Sequence, residues 1–80
     1  MNIKILAFGI AKDIIGAREM TLQIAEGSDV GGLKEHLVNQ YADFGRLKSL
    51  ALAVNEEYAH DSLMLTSDDE VVIIPPVSGG

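Results

Sequence analysis

The sequence predicts an α+β fold in which one mixed sheet is covered on one face by one main helix. Three observations predict it. Short segments of alternating apolar and polar residues recur at Ile3–Phe8, Met20–Ile24 and Leu50–Val54, which is the two-residue period of half-buried strands. A single stretch, Val30 to about Ala42, carries apolar residues at helical spacing. Val71–Ile74 is a continuous β-branched run, which is how a strand buried on both faces reads.

In order along the chain, Ile3–Phe8 is the first strand, with Ile3, Ile5 and Ala7 on one side and Lys4, Leu6 and Phe8 on the other. Gly9 to Gly16 is a compact connector whose Ile10, Ile14 and Ile15 form a helical turn or plug the edge of the core. Met20, Leu22 and Ile24 alternate with Thr21, Gln23 and Ala25, so the first two strands make a hairpin. Glu26-Gly27-Ser28-Asp29 is a turn in which Ser28 or Asp29 caps the helix that follows. Val30, Leu33, Leu37, Val38 and Tyr41 define that helix's apolar side. Leu50, Leu52 and Val54 form a third strand, Asn55-Glu56-Glu57 a turn, and Tyr58-Ala59-His60 a short edge strand. Leu63, Met64 and Leu65 add to the core, and Thr66 to Glu70 is a polar turn into the last strand. A last strand apolar on both sides belongs in the middle of the sheet, where it pairs in parallel with the first. The arrangement is a ubiquitin-like β-grasp.

With 80 residues the chain is one small domain, expected to bury only about 60–65% of its unfolded surface. It has no cysteine, which excludes a disulfide scaffold, a thiolate metal site and a cysteine nucleophile. The formal charge is −6. All six bases fall in the first 48 residues, where acids cancel them, so the deficit sits in Glu56, Glu57, Asp61, Asp68, Asp69 and Glu70. An acidic half repels phosphate backbones and anionic lipid, so neither nucleic acid nor a membrane is an expected partner. A protein with a basic surface fits better. Apolar runs of about seven residues are far too short for a membrane span, and the apolar start is broken by Lys12 and Asp13, so the expected location is cytoplasmic.

Little in the body of the chain suggests an active site. The carboxylates at Glu56/Glu57 and Asp68/Asp69/Glu70 fall in turns, as solvated groups do. His36 and His60 lack metal-ligand spacing, and no metal is expected. The serines lack a nucleophile-elbow context. Gly31 and Gly32 could frame a phosphate cradle only with Asp29 repelling the anion and no strand feeding the turn.

The end of the sequence is different. The domain division expected is 1–74 for the β-grasp body and 75–80 for an extended tail, Pro75-Pro76-Val77-Ser78-Gly79-Gly80. The prolines stiffen the exit and favour an extended backbone reaching roughly 18 Å. Gly79 and Gly80 carry no side chains and can thread a narrow channel. A carboxylate is a poor electrophile until an adenylate supplies a leaving group. A sulfur nucleophile can then leave a thiocarboxylate on Gly80, the one evident sulfur-carrying position in a cysteine-free chain. No bound cofactor is expected on this chain, and catalytic acids and bases would come from the partner.

Ile3–Phe8, Ala53-Val54-Asn55, Asp69-Glu70-Val71 and the Pro-Pro-Val-Ser-Gly-Gly tail together resemble the small subunits of molybdopterin synthase, over essentially the whole chain. The resemblance implies that Gly80 is adenylated by a ubiquitin-activating-like enzyme, which uses ATP, and is converted to a thiocarboxylate. It implies that the tail then enters the large synthase subunit and gives sulfur to precursor Z, cyclic pyranopterin monophosphate, within a heterotetramer. It also implies docking through Phe8, Tyr58 and Ile74, with Lys12 adjacent and Pro75, Pro76, Val77 and Ser78 continuing the contact. Ile74 stands where an aromatic is common in that family, Lys12 where arginine can occur, and Asp68 where glycine is frequent. The same kind of tail would serve a thiazole-pathway sulfur carrier or a ubiquitin-like modifier, although the arginine that precedes the glycines in ubiquitin-like modifiers is missing here.

Overall fold

The computed structural model describes residues 1–46 and 50–74. Five strands form one sheet among them: β1 (Asn2–Ala7), β2 (Glu19–Gln23), β3 (Ala51–Val54), β4 (Glu57–Tyr58) and β5 (Glu70–Ile74). Their spatial order is β2-β1-β5-β3-β4. The last strand is central, parallel to β1 and antiparallel to β3, as its unbroken apolar run predicts. β1 and β2 form the opening antiparallel hairpin.

Helix α2 (Val30–Gln40) covers one face of this sheet. Its Val30, Leu33 and Leu37 are fully buried and join Ile3, Ile5, Leu22, Leu52, Val54, Val71 and Ile73 in one core cluster. Fully burying a side chain of this size contributes about 1.5–3 kcal/mol. Among the described residues no polar or charged side chain is buried, so apolar packing alone fills this layer.

Asp29 caps α2, its Oδ1 accepting from the Gly32 N–H at 2.8 Å. The helix stops two residues short of the Ala42 expected and is followed by a 3-10 helix, Ala42–Arg46, which the sequence pattern does not announce. Phe44 explains it. This ring is 2% exposed and meets Tyr41 edge to face at 5.9 Å, so the chain tightens to bring an isolated aromatic back to the core.

Of the two readings of the connector after β1, the helical one holds: it is a seven-residue helix, α1 (Gly9–Ile15), closed by Gly16 in the left-handed region. Other expectations need correction. The buried residue of α1 is Ala11, while Ile10 is exposed and Ile14 and Ile15 are half-buried. Val38 lies at the edge of the helix's apolar stripe and is exposed. Leu63 and Met64 are exposed too, and only Leu65 reaches the core, because residues 61–63 run against the start of α2 to satisfy its backbone. The edge strand is Glu57–Tyr58 and does not extend to His60. A two-residue turn, Asn55-Glu56, joins it to β3, with φ of 52° and 74°. Such a mirror-image turn matches strand twist, and asparagine tolerates it better than glutamate.

Candidate functional site

The register of the sheet defines a second face, turned away from α2. Leu6 pairs with Val72, Val72 with Ala53, and Ala53 with Tyr58, so one row of side chains crosses the sheet. Ala51 pairs with Ile74 in the next row. Phe8 follows Ala7, the partner of Ile73, in extended backbone, and so lies level with Ile74. Strand residues two apart share a face, so these positions are continuous.

This face is apolar and no described element covers it. Tyr58 is 74% exposed and Phe8 50%, while Leu6, Ala51, Val72 and Ile74 are half-buried. The central strand is therefore not enclosed on both sides: Val71 and Ile73 are buried, Val72 and Ile74 are not. A contiguous apolar patch on so small a domain makes this face the candidate interaction surface.

The structure brings three of the four docking residues expected from sequence, Phe8, Tyr58 and Ile74, onto one face. Lys12 lies one turn along α1 from Phe8, whose carbonyl accepts from the Ala11 and Lys12 N–H groups at 3.1 and 3.4 Å. The Lys12 side chain is exposed. Pro75, Pro76, Val77, Ser78, Gly79 and Gly80 lie outside the described residues; they follow Ile74, the last residue of β5, directly in sequence. Leu6, Ala51 and Val72 belong to the same surface and were not singled out beforehand. Their signal was there in the shared parity of Leu6 with Phe8 and of Val72 with Ile74.

Charged groups border the patch. Lys4 Nζ lies 3.7 Å from Glu19 and 3.8 Å from Glu70, across three neighbouring strands. At the same end of the sheet, a hydrogen-bond hub joins the β3–β4 turn to the start of β5. Asn55 Nδ2 donates to Asp69 Oδ1 at 2.9 Å, the Glu70 N–H donates to Asn55 Oδ1 at 3.1 Å, and the Thr66 N–H donates to Asp69 Oδ2 at 2.8 Å. The Thr66 N–H, opposed by partial burial and helped by Asn55, holds the Asp69 carboxyl below its ordinary value of 3.8.

The other candidates from sequence stay apart. His36 pairs with Gln40 at 3.1 Å on the exposed side of α2. No cluster of three potential metal ligands occurs among the described residues. The start of α2 is not an open anion cradle: the Val30 and Gly31 N–H groups donate to the carbonyls of Leu63 and Asp61, and those of Gly32 and Leu33 donate to Asp29.

Comparison with known proteins agrees with this fold. The chain is 37% identical over its full length to the molybdopterin synthase sulfur carrier subunit of Arabidopsis thaliana, covering 84% of that protein. Among solved structures it resembles the putative molybdopterin converting factor subunit 1 of Pyrococcus furiosus, with a TM-score of 0.87, 23% identity and coverage of 96% of this chain and 99% of that one. It also resembles a chain in the complex of subunits 1 and 2 of the molybdopterin-converting factor of Helicobacter pylori 26695, with a TM-score of 0.67, 22% identity and full coverage of both chains. At these identities the two structures establish the shared β-grasp fold. The ThiS family matches residues 5–80, taking in both the sheet and the final glycines. The chain belongs to the ThiS family.

Proposed function

We propose that this chain is the sulfur-carrier subunit of a cytoplasmic molybdopterin synthase, docking on the large subunit through its open sheet face and carrying sulfur on the Gly80 carboxylate. The observation that carries this reading is the full-length, 37% likeness to a protein of that name. The apolar face ending at Ile74, directly before the Pro-Pro-Val-Ser-Gly-Gly segment, supports it physically. A surface of this kind grips a partner without using the tail, which leaves the tail free to enter a separate site.

In the charging step, a carboxylate oxygen of Gly80 attacks the α-phosphorus of ATP and pyrophosphate leaves. Hydrosulfide then attacks the acyl carbon, AMP departs, and a thiocarboxylate remains. Transfer of that sulfur to precursor Z regenerates a carboxylate once water has taken the acyl group. Acid–base groups for these steps come from the activating enzyme in charging and from the large subunit in transfer; two copies of this chain and two of the large subunit form the synthase heterotetramer. The role left to this chain is positional: a β-sheet platform held rigid by its core, with a narrow reactive terminus.

Intact-mass measurement after incubation with the activating enzyme, ATP and sulfide tests the reading. One oxygen-for-sulfur exchange at Gly80 is expected, together with loss of transfer when Gly80 is deleted or a residue is added after it. Sulfur delivery by the extended chain would overturn it. Conjugation to lysines in place of sulfur transfer would point to a protein modifier instead.

A further inference from the structure

On the side of the molecule away from β4, strand β2 is the outer strand of the sheet, and none of the described residues pairs with its outer edge. The hydrogen bonds to β1 show which groups that edge presents. Arg18 O accepts from Ala7 N–H, and Ile24 N–H donates to Met1 O, so Arg18, Met20, Leu22 and Ile24 face β1. By alternation, the N–H and C=O groups of Glu19, Thr21 and Gln23 point outward. An edge of this kind is a template for another strand, and here no proline, lysine or bulge blunts it.

Beside the end of this edge, between it and α2, lies an open groove of about 550 Å³. Gln23, Ile24 and Ala25 form one wall, Leu33 and His36 the other, and the side-chain-free Gly32 leaves room between them. An added strand would turn alternate side chains toward this groove while its backbone pairs with β2. The charge at the groove end of the edge is one-sided: Glu26 and Asp29 lie in the turn there and no lysine or arginine among the described residues pairs with either, while Lys34 is bound to Asp61 at 2.7 Å. At the far end Arg18 precedes Glu19, which Lys4 already meets at 3.7 Å.

We propose that the β2 edge and its groove form a second docking site, which takes an extended basic peptide segment of a partner protein by strand addition. Basic residues of the peptide meet Glu26 and Asp29 beyond the groove end of the edge, and an apolar side chain enters the groove. A second copy of this chain is the poorer occupant, since it brings the same carboxylates against themselves and a five-residue edge is short for a stable dimer. The site lies at the opposite edge of the sheet from Tyr58 and does not depend on the sulfur-carrier reading. A partner held there leaves the open face accessible.

The test is an NMR titration of the full-length, isotope-labelled chain with the capped peptide Lys-Lys-Val-Ile-Val-Lys. Two control peptides replace the lysines by glutamate or the central isoleucine by proline. Saturable shifts are expected at the amides of Glu19, Thr21, Gln23 and His36, about tenfold weaker with either control peptide. Thr21→Pro removes one outward N–H at an edge position that tolerates proline, and should weaken binding about tenfold. Glu26→Lys leaves the backbone untouched and should weaken binding about threefold. The proposal fails if the basic peptide shifts none of these amides, if the glutamate peptide binds equally well, or if the shifts centre on Val72 and Tyr58. It fails equally if the edge amides respond to the concentration of the protein alone, which would make the occupant a second copy.

Discussion

The two faces of the sheet are built from the same strands and nearly the same residue types, yet they do different work. On the covered face Ile3, Ile5, Leu52, Val71 and Ile73 are at most 1% exposed beneath Leu33 and Leu37 of α2. On the open face Leu6, Val72 and Ile74 are only half-buried, and Phe8 and Tyr58 stand in solvent. Apolar surface that the chain covers itself stabilises the fold. Apolar surface left uncovered would release the same water only on docking, which is the role proposed for the open face.

Substitutions separate these roles. Leu37→Ala should cost about 2–5 kcal/mol in urea unfolding, since it opens a cavity under α2. A change below about 1 kcal/mol would mean that α2 is not the lid of the core. Tyr58→Ala should leave the unfolding midpoint within about 0.5 kcal/mol of the parent. The same change should weaken binding to the large subunit by about tenfold or more in calorimetry, as loss of a central aromatic contact does. Equal effects of Tyr58→Ala and Leu37→Ala on stability would erase the distinction between the faces.

Smaller effects sharpen it at the polar end of the sheet. Asp69→Asn should cost about 1 kcal/mol at neutral pH by weakening the hub that ties Asn55 and Thr66 to β5. The Asp69 carboxyl is held below 3.8, so its contribution is present above that pH and is lost as pH falls through the folded-state value. Unfolding curves of parent and Asp69→Asn should therefore converge in acid; a gap that widens on acidification would contradict the hub. Lys4→Met removes two ion pairs that are long and about half exposed, and should change stability by less than about 0.5 kcal/mol.

Much of this was legible in the sequence, and what was missed has physical causes. Period-two alternation located β1, β2 and β3, and the unbroken run Val71–Ile74 placed β5 at the centre, because burial on a flat sheet writes itself directly into residue order. Phe8, Tyr58 and Ile74 were legible as a group through resemblance to a family, whereas their neighbours Leu6 and Val72 read as ordinary strand residues. The 3-10 helix at Ala42–Arg46 was not legible, since one phenylalanine in a polar stretch has no period. Leu63 and Met64 were misread because hydrophobicity says that a side chain prefers burial, not that room exists for it.

The sequence by itself determined the set of strands, the covering helix with a cap at Ser28 or Asp29, and the composition of both faces, since each depends on neighbours a few residues apart. Only the tertiary structure decided which apolar residues stay uncovered, that residues 61–63 close the start of α2, and that Asn55 and Asp69, fourteen residues apart, lock together. With one main helix for two apolar sheet faces, a single face is enclosed, and which residues remain outside is settled by strand order and register, quantities no local pattern contains.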